Sequence, residues 1–251
     1  MMMAHDRPID LTVSIRVPEA EIEGDWSVPP RPRGTIILAN GSGNSRLGRR
    51  NREVAHRLYD TSFATLLLDL LTPEEETENT LTGAFQHDVG LLTERLLAAI
   101  RWLRDEPEVG HLPVGILASG TASAAALCAA ARESEMVKAI VSRGGRPDLA
   151  GIGLHRVLTP TLLIVGNGDA GLYELNRWAL RRLNGEKHLM VIPGDSQLFE
   201  EITALDAMCR VIIGWFDTHV QSAVRIRAGW SKTNMNWTPD ATAPQPQNLN
   251  R

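Results

Sequence analysis

Residues Leu11 to Val17 alternate apolar and polar at period two, as a strand with one buried and one wet face does. The segment is expected to be an antiparallel edge strand. Glu19 to Trp26 is its expected hairpin partner, ended by Pro29, Pro30 and Pro32. Short, nearly continuous apolar runs follow at Thr35–Ala39, Ala64–Leu68, Val114–Leu117, Lys138–Ser142, Leu162–Val165 and His188–Ile192. Such runs fit parallel strands buried on both faces. Helical spacing alternates with them. Val89, Leu92, Leu96, Ala99, Ile100 and Leu103 form one apolar stripe, and Leu205, Met208, Cys209, Ile212, Trp215 and Phe216 form another. Strand and helix in alternation predict an α/β protein with a mostly parallel, doubly wound sheet and helices on both faces. Gly144 to Thr159 is too short to hold a separate cap, so the site above the sheet is expected to be open.

The periodicity stops near Gln221. The remainder to Arg251 is rich in Asn, Pro, Thr and Gln and reads as a tail, with 1–219 as one domain whose edge strands occupy 1–33. Trp230 and Trp237 could dock it on the domain or on a second subunit, so a homo-oligomer or a tail-mediated protein contact is open. A net charge of −4 supplies no basic footprint, which argues against nucleic acid as a partner. The stretch from Val114 to Ala131 is interrupted by glycines and small polar residues, so no membrane span or membrane partner is expected. Cys128 and Cys209 stand alone in apolar helical patterns as two free buried thiols, and with no leader segment recognisable a cytoplasmic protein is expected. The acidic run Glu74 to Glu78 reads as a solvated loop or a first helical turn. Neither metal-ligand spacing nor a cofactor motif is found.

Ala118-Ser119-Gly120-Thr121-Ala122 stands where a buried run turns sharply into an alanine-rich helix. Small residues flank the position at which hydrolytic enzymes of this build expose a nucleophile. That position is Gly120, which has no side chain. Together with Asn40–Arg46, Leu68–Glu76, Ser142–Leu149, Thr161–Gly166 and Pro193–Glu201, this stretch makes residues 11–218 resemble the dienelactone-hydrolase-like, lidless branch of the α/β-hydrolase superfamily. The resemblance implies a nucleophile, an acid and a base in that chain order. Carried over, the nucleophile position is Gly120, the acid is Asp169 and the base position is Gln197. Asn40 also departs, standing where such proteins usually carry His before Gly. Glycine cannot attack a carbonyl and an amide takes no proton near neutral pH, so a hydrolase working through that triad is excluded.

What remains is binding chemistry. A helix opening near Thr121 offers free N–H groups, one of them an oxyanion donor. The facing loop brings Asn40, Gly41, Ser42 and Gly43, and Ser42 is its best-placed hydroxyl. Arg46, Arg49 and Arg143 are expected at the same edge, where they could hold a carboxylate or phosphate. Ser119 borders the site, although strand alternation turns its side chain toward sheet–helix packing, and Ser123 is expected in a local backbone bond. His87 could approach from the loop after Glu78, His188 is expected to be a satisfied histidine, and Asp169 to cap a helix or bond Gln197. The leading expectation is a non-hydrolytic protein that binds a small ligand or a partner. The alternatives are an esterase or lactone hydrolase using a displaced nucleophile such as Ser42, a lyase or isomerase using the oxyanion donors, and a structural role with the tail as a docking arm.

Overall fold

A computed structural model describes residues 8–41, 45–192 and 202–220. Strands β1 (Ile9–Val17) and β2 (Ala20–Val28) form the expected hairpin, with Ile15 opposite Ile22. Glu19 takes the turn at φ 67°. The chain then alternates through β3 (Thr35–Asn40), α1 (Arg49–Asp60), β4 (Ala64–Asp69), α2 (Pro73–Thr82), α3 (Val89–Asp105), β5 (Val114–Gly120) and α4 (Ala122–Arg132). It continues with β6 (Val137–Gly145), a 3₁₀ segment (Pro147–Arg156), β7 (Thr161–Gly166), α5 (Ala170–Leu180), β8 (Lys187–Ile192) and α6 (Ile202–His219).

The eight strands make one open sheet in the order β1-β2-β4-β3-β5-β6-β7-β8. The hairpin joins it antiparallel, with Gly24 opposite Leu68, and every later pair is parallel. Alternation within each buried strand sends neighbours to opposite faces. Ile37, Ala39, Leu66, Ile116 and Ala118 pack with α3 and α4, while Ile36, Leu38, Leu67, Leu117 and Val141 pack with α1 and α6. The two cores are therefore separated by one layer of backbone, and the runs had to be apolar on both sides. Gly115 permits this closeness: a Cβ there would lie 2.7 Å from the Phe216 ring.

One strand differs from expectation, and one helix has no counterpart in the sequence pattern. β8 is an edge strand with one neighbour, so its residues are mostly half-buried and Val191 is 44% exposed. α1 carries no obvious apolar stripe in Arg49–Asp60, yet Asn51, Val54, Ala55 and Leu58 line its buried face. Among the described residues no helix is long and apolar enough to cross a membrane.

Candidate functional site

β5 ends at Gly120, which turns at φ 54°. A side chain rarely adopts this left-handed region, whereas glycine enters it without a Cβ clash. The apex is exposed, and an added Cβ would meet nothing within 4 Å. The Arg146 N–H donates to the Gly120 carbonyl at 2.9 Å, tying the apex to the approach of the 3₁₀ segment. Thr121 caps α4 without a side-chain bond to it; its hydroxyl donates instead to the Gln86 carbonyl at 2.7 Å. The Ala122 and Ser123 N–H groups open α4 ahead of the bond that the Ala124 N–H donates to the Thr121 carbonyl at 3.0 Å. Gly41, just past β3, faces them: a Cβ there would lie 3.5 Å from the Ala122 nitrogen.

Beside this apex a polar chain runs inward. Arg143, on β6, pairs across the sheet with Ser119, which is buried. Its Nη2 donates to Asn51 Oδ1 at 2.8 Å, and Asn51 Nδ2 donates to Asn40 Oδ1 at 3.0 Å and to the Ser45 carbonyl at 2.8 Å. The direction is forced. A guanidinium only donates, so Asn51 must present its oxygen to Arg143 and its amide hydrogens to Asn40. Among the described residues Asn40 Nδ2 is left as a buried donor without an acceptor, in a residue 3% exposed. Burial, reinforced by the nearby Arg50 charge, pushes the Arg143 guanidinium down to about 10, and among the described residues no carboxylate pairs with it. Asn51 escaped the sequence reading; its signal was a lone Asn at helical spacing with Val54, Ala55 and Leu58.

Arg46 requires a correction. Its guanidinium binds Glu23, Asp25 at 2.7 Å and Asp69 at 3.7 Å, and its N–H donates to Asp69 at 2.7 Å. Three carboxylates from β2 and β4 occupy this cation, so it is not available to a ligand. Burial raises the Asp69 carboxyl despite those bonds. Arg49 is exposed at the first position of α1. Asp169 caps α5, accepting from the Leu172 N–H at 2.8 Å. Ser42, Gly43, Ser196 and Gln197 lie outside the described residues.

Other expected groups are engaged elsewhere. Ser123 and Ser142 are fully buried and crowd Gly145; neither hydroxyl has a hydrogen-bond partner among the described residues, so the local backbone bond expected of Ser123 is not formed. His188 packs against the Trp215 ring and lies 3.9 Å from Glu186. Burial raises the Cys128 and Cys209 thiols, which disfavours their reactive thiolate forms. The acidic run opens α2 rather than forming a loop. Glu75 bonds Arg95, which is 3% exposed and also donates to the Leu70 carbonyl at 2.7 Å. Among the described residues no group of three His, Cys, Asp or Glu could hold a metal ion. A groove of about 690 Å³ opens between α1 and the β1–β2 hairpin, lined by Asp10, Asp25, Arg52 and Tyr59 among others. It is apart from the elbow, and its carboxylates already have partners: Ser27 for Asp10, and Arg46 with Arg52 for Asp25.

No family model matches the chain. It is 44% identical over 218 residues to the "Putative phosphoribosyl transferase" of Mycobacterium tuberculosis, a match that takes in 86% of this chain and 48% of that protein. The chain thus spans about half the length of the curated relatives it matches. Among solved structures, the dienelactone hydrolase of Anabaena variabilis is 44% identical, with a TM-score of 0.81 over 85% of this chain and 99% of that one. Est1E of Butyrivibrio proteoclasticus, 14% identical, shares the fold with a TM-score of 0.67 over 82% of this chain and 98% of its own. With the sheet order, the strand-to-helix elbow and the long match to the Anabaena protein in agreement, the chain belongs to the dienelactone-hydrolase-like family of α/β-hydrolase proteins.

Proposed function

We propose that this chain is a non-hydrolytic member of its family that holds a small carboxylate- or phosphate-bearing ligand at the carboxyl edge of the sheet. Arg143 carries the reading: a half-buried guanidinium on one amide oxygen, with no described carboxylate to balance it. A partly buried charge without a counter-ion is costly, and a bound anion would offset that cost. The Nδ2 of Asn40, without an acceptor among the described residues, and the opening N–H groups of α4 supply uncharged donors at the same edge of the sheet. Glycine at the apex supplies no attacking atom and leaves space for the ligand.

The name of the mycobacterial relatives adds a phosphorylated sugar to the ligands worth testing. That name describes a protein about twice as long as the matched region, so the transferase activity is not carried over.

Calorimetric titration with inorganic phosphate and with 2-oxobutanoate tests the reading. At least one is expected to bind, with Arg143→Ala weakening it about tenfold or more, the scale of one lost charged hydrogen bond. Arg46→Ala is expected to lower stability and leave that affinity within about twofold, since this arginine already serves three carboxylates. Equal loss in both variants, or binding indifferent to Arg143, overturns the anion site. A fluorophosphonate probe is expected to leave the protein unlabelled. A stoichiometric serine adduct would restore the hydrolase reading.

A further inference from the structure

We infer that the site also moves a proton, with His87 as the general base, on a carbonyl compound whose carboxylate occupies the Arg143 subsite. The inference rests on the anion-binding reading. It adds the acid–base group that the altered triad lacks, drawn from a different stretch of sequence than position 197.

His87 lies in the segment between α2 and α3, and that segment is fastened at several points. Gly83 closes α2 in the left-handed conformation at φ 69°, and Asn79 Oδ1 accepts from the Phe85 N–H at 2.8 Å. Asp88 opens α3 by accepting from the Leu91 N–H at 2.9 Å. The bond from Thr121 to the Gln86 carbonyl, 2.7 Å long, then pins the Gln86–His87 peptide beside the residue that follows the elbow apex. Leu92, one turn into α3, approaches within 3.9 Å of where a Gly41 Cβ would stand, so the same segment borders the facing loop. His87 is exposed, and its imidazole has no hydrogen-bond or ion-pair partner among the described residues. Asp88 is occupied by its helix and does not orient it. The molecule thus fixes the backbone of a histidine one residue from the Gln86–Thr121 bond, beside an elbow apex that carries no side chain, and among the described residues nothing engages its ring.

The chemistry that needs a base and N–H donors but no nucleophile is removal of a proton from the carbon next to a carbonyl. The C–H bond breaks, its proton goes to an imidazole nitrogen, and its electron pair moves onto the carbonyl oxygen as an enolate. The N–H groups at the start of α4 stabilise that oxyanion. Return of the proton to the same or a conjugated carbon gives exchange or isomerisation. Nothing is oxidised or reduced, and no water is consumed.

The test follows exchange of the C3 protons of 2-oxobutanoate into D2O by proton NMR, with calorimetric binding of the same compound, for the full chain and for His87→Gln. The wild type is expected to accelerate exchange above buffer. His87→Gln is expected to lose about 100-fold or more of that acceleration, the contribution of one positioned base, with affinity unchanged within about twofold. Binding without faster exchange, or exchange that survives His87→Gln, overturns the role of His87 and leaves the anion site standing. Absence of Arg143-dependent binding overturns both.

Discussion

Gly120 occupies a backbone position that costs any other residue conformational energy, and it lies in open space. Gly120→Ser is therefore expected to fold, losing about 1 kcal/mol to the left-handed φ. Chemical denaturation would measure this, and a loss above about 3 kcal/mol would mean the apex is packed. The Gly120→Ser, Gln197→His double variant is expected to hydrolyse an aryl ester above the wild-type background, because Asp169 still stands at the start of α5. No gain in a folded double variant would mean that position 197 does not face the apex. Gly41 makes a finer distinction. An alanine methyl there sits 3.5 Å from the Ala122 nitrogen, an ordinary contact that nevertheless covers the donor. Gly41→Ala is expected to leave stability within about 0.5 kcal/mol, the usual range for a tolerated substitution, and to weaken anion binding several-fold by titration.

At the scale of elements, α2 illustrates how a surface-like sequence acquires an interior role. Thr72 and Glu75 form a capping box, with Thr72 Oγ1 accepting from the Glu75 N–H at 3.3 Å and Glu75 accepting from the Thr72 N–H at 2.9 Å. The same carboxylate neutralises Arg95 of α3, which holds the Leu70 carbonyl past the end of β4. Glu75→Gln removes the counter-charge of a buried arginine and is expected to cost about 3 kcal/mol in denaturant unfolding. A loss below about 1 kcal/mol would mean that solvent balances Arg95. The bonds from Arg95 hold the Glu75 carboxyl below its ordinary value of 4.5. Its stabilisation is therefore present above that pH and is lost as pH falls through the lowered folded value. The acid limb of the stability curve should flatten in Glu75→Gln below pH 4.5. Capping sequence and acidic first turn were legible in Thr72–Glu76. The bond to a helix twenty positions onward was not, because ion pairing depends on where two helices cross.

Across the whole molecule, the antiparallel hairpin is joined to the body of the domain by more than its ladder. Trp26 of β2 meets Trp102 of α3 edge to face at 5.7 Å between ring centres, and Trp26 is 3% exposed. Trp102→Ala is expected to cost about 3 kcal/mol, the lower end for a large aromatic because Trp102 is only half-buried. Unfolding followed by far-UV signal and by Trp26 fluorescence should remain coincident. Separate transitions would mean that the hairpin unfolds as its own unit.

Local sequence was enough to lay out the strand and helix alternation, the parallel sheet and an elbow apex without a side chain at Gly120. Hydrophobic periodicity and the presence or absence of a reactive atom are properties of local residues, and they survive without coordinates. Tertiary structure alone decided the fate of the cations. Arg46 and Arg143 look equivalent in the chain, yet one meets carboxylates from two other strands and the other, among the described residues, bonds an amide oxygen and no carboxylate. It also decided that Asn51 links Arg143 to Asn40 and that the Gln86 carbonyl meets Thr121 beside the elbow. Charge balance and hydrogen-bond direction are settled between segments far apart in sequence, and only the folded sheet brings those segments within reach of one another.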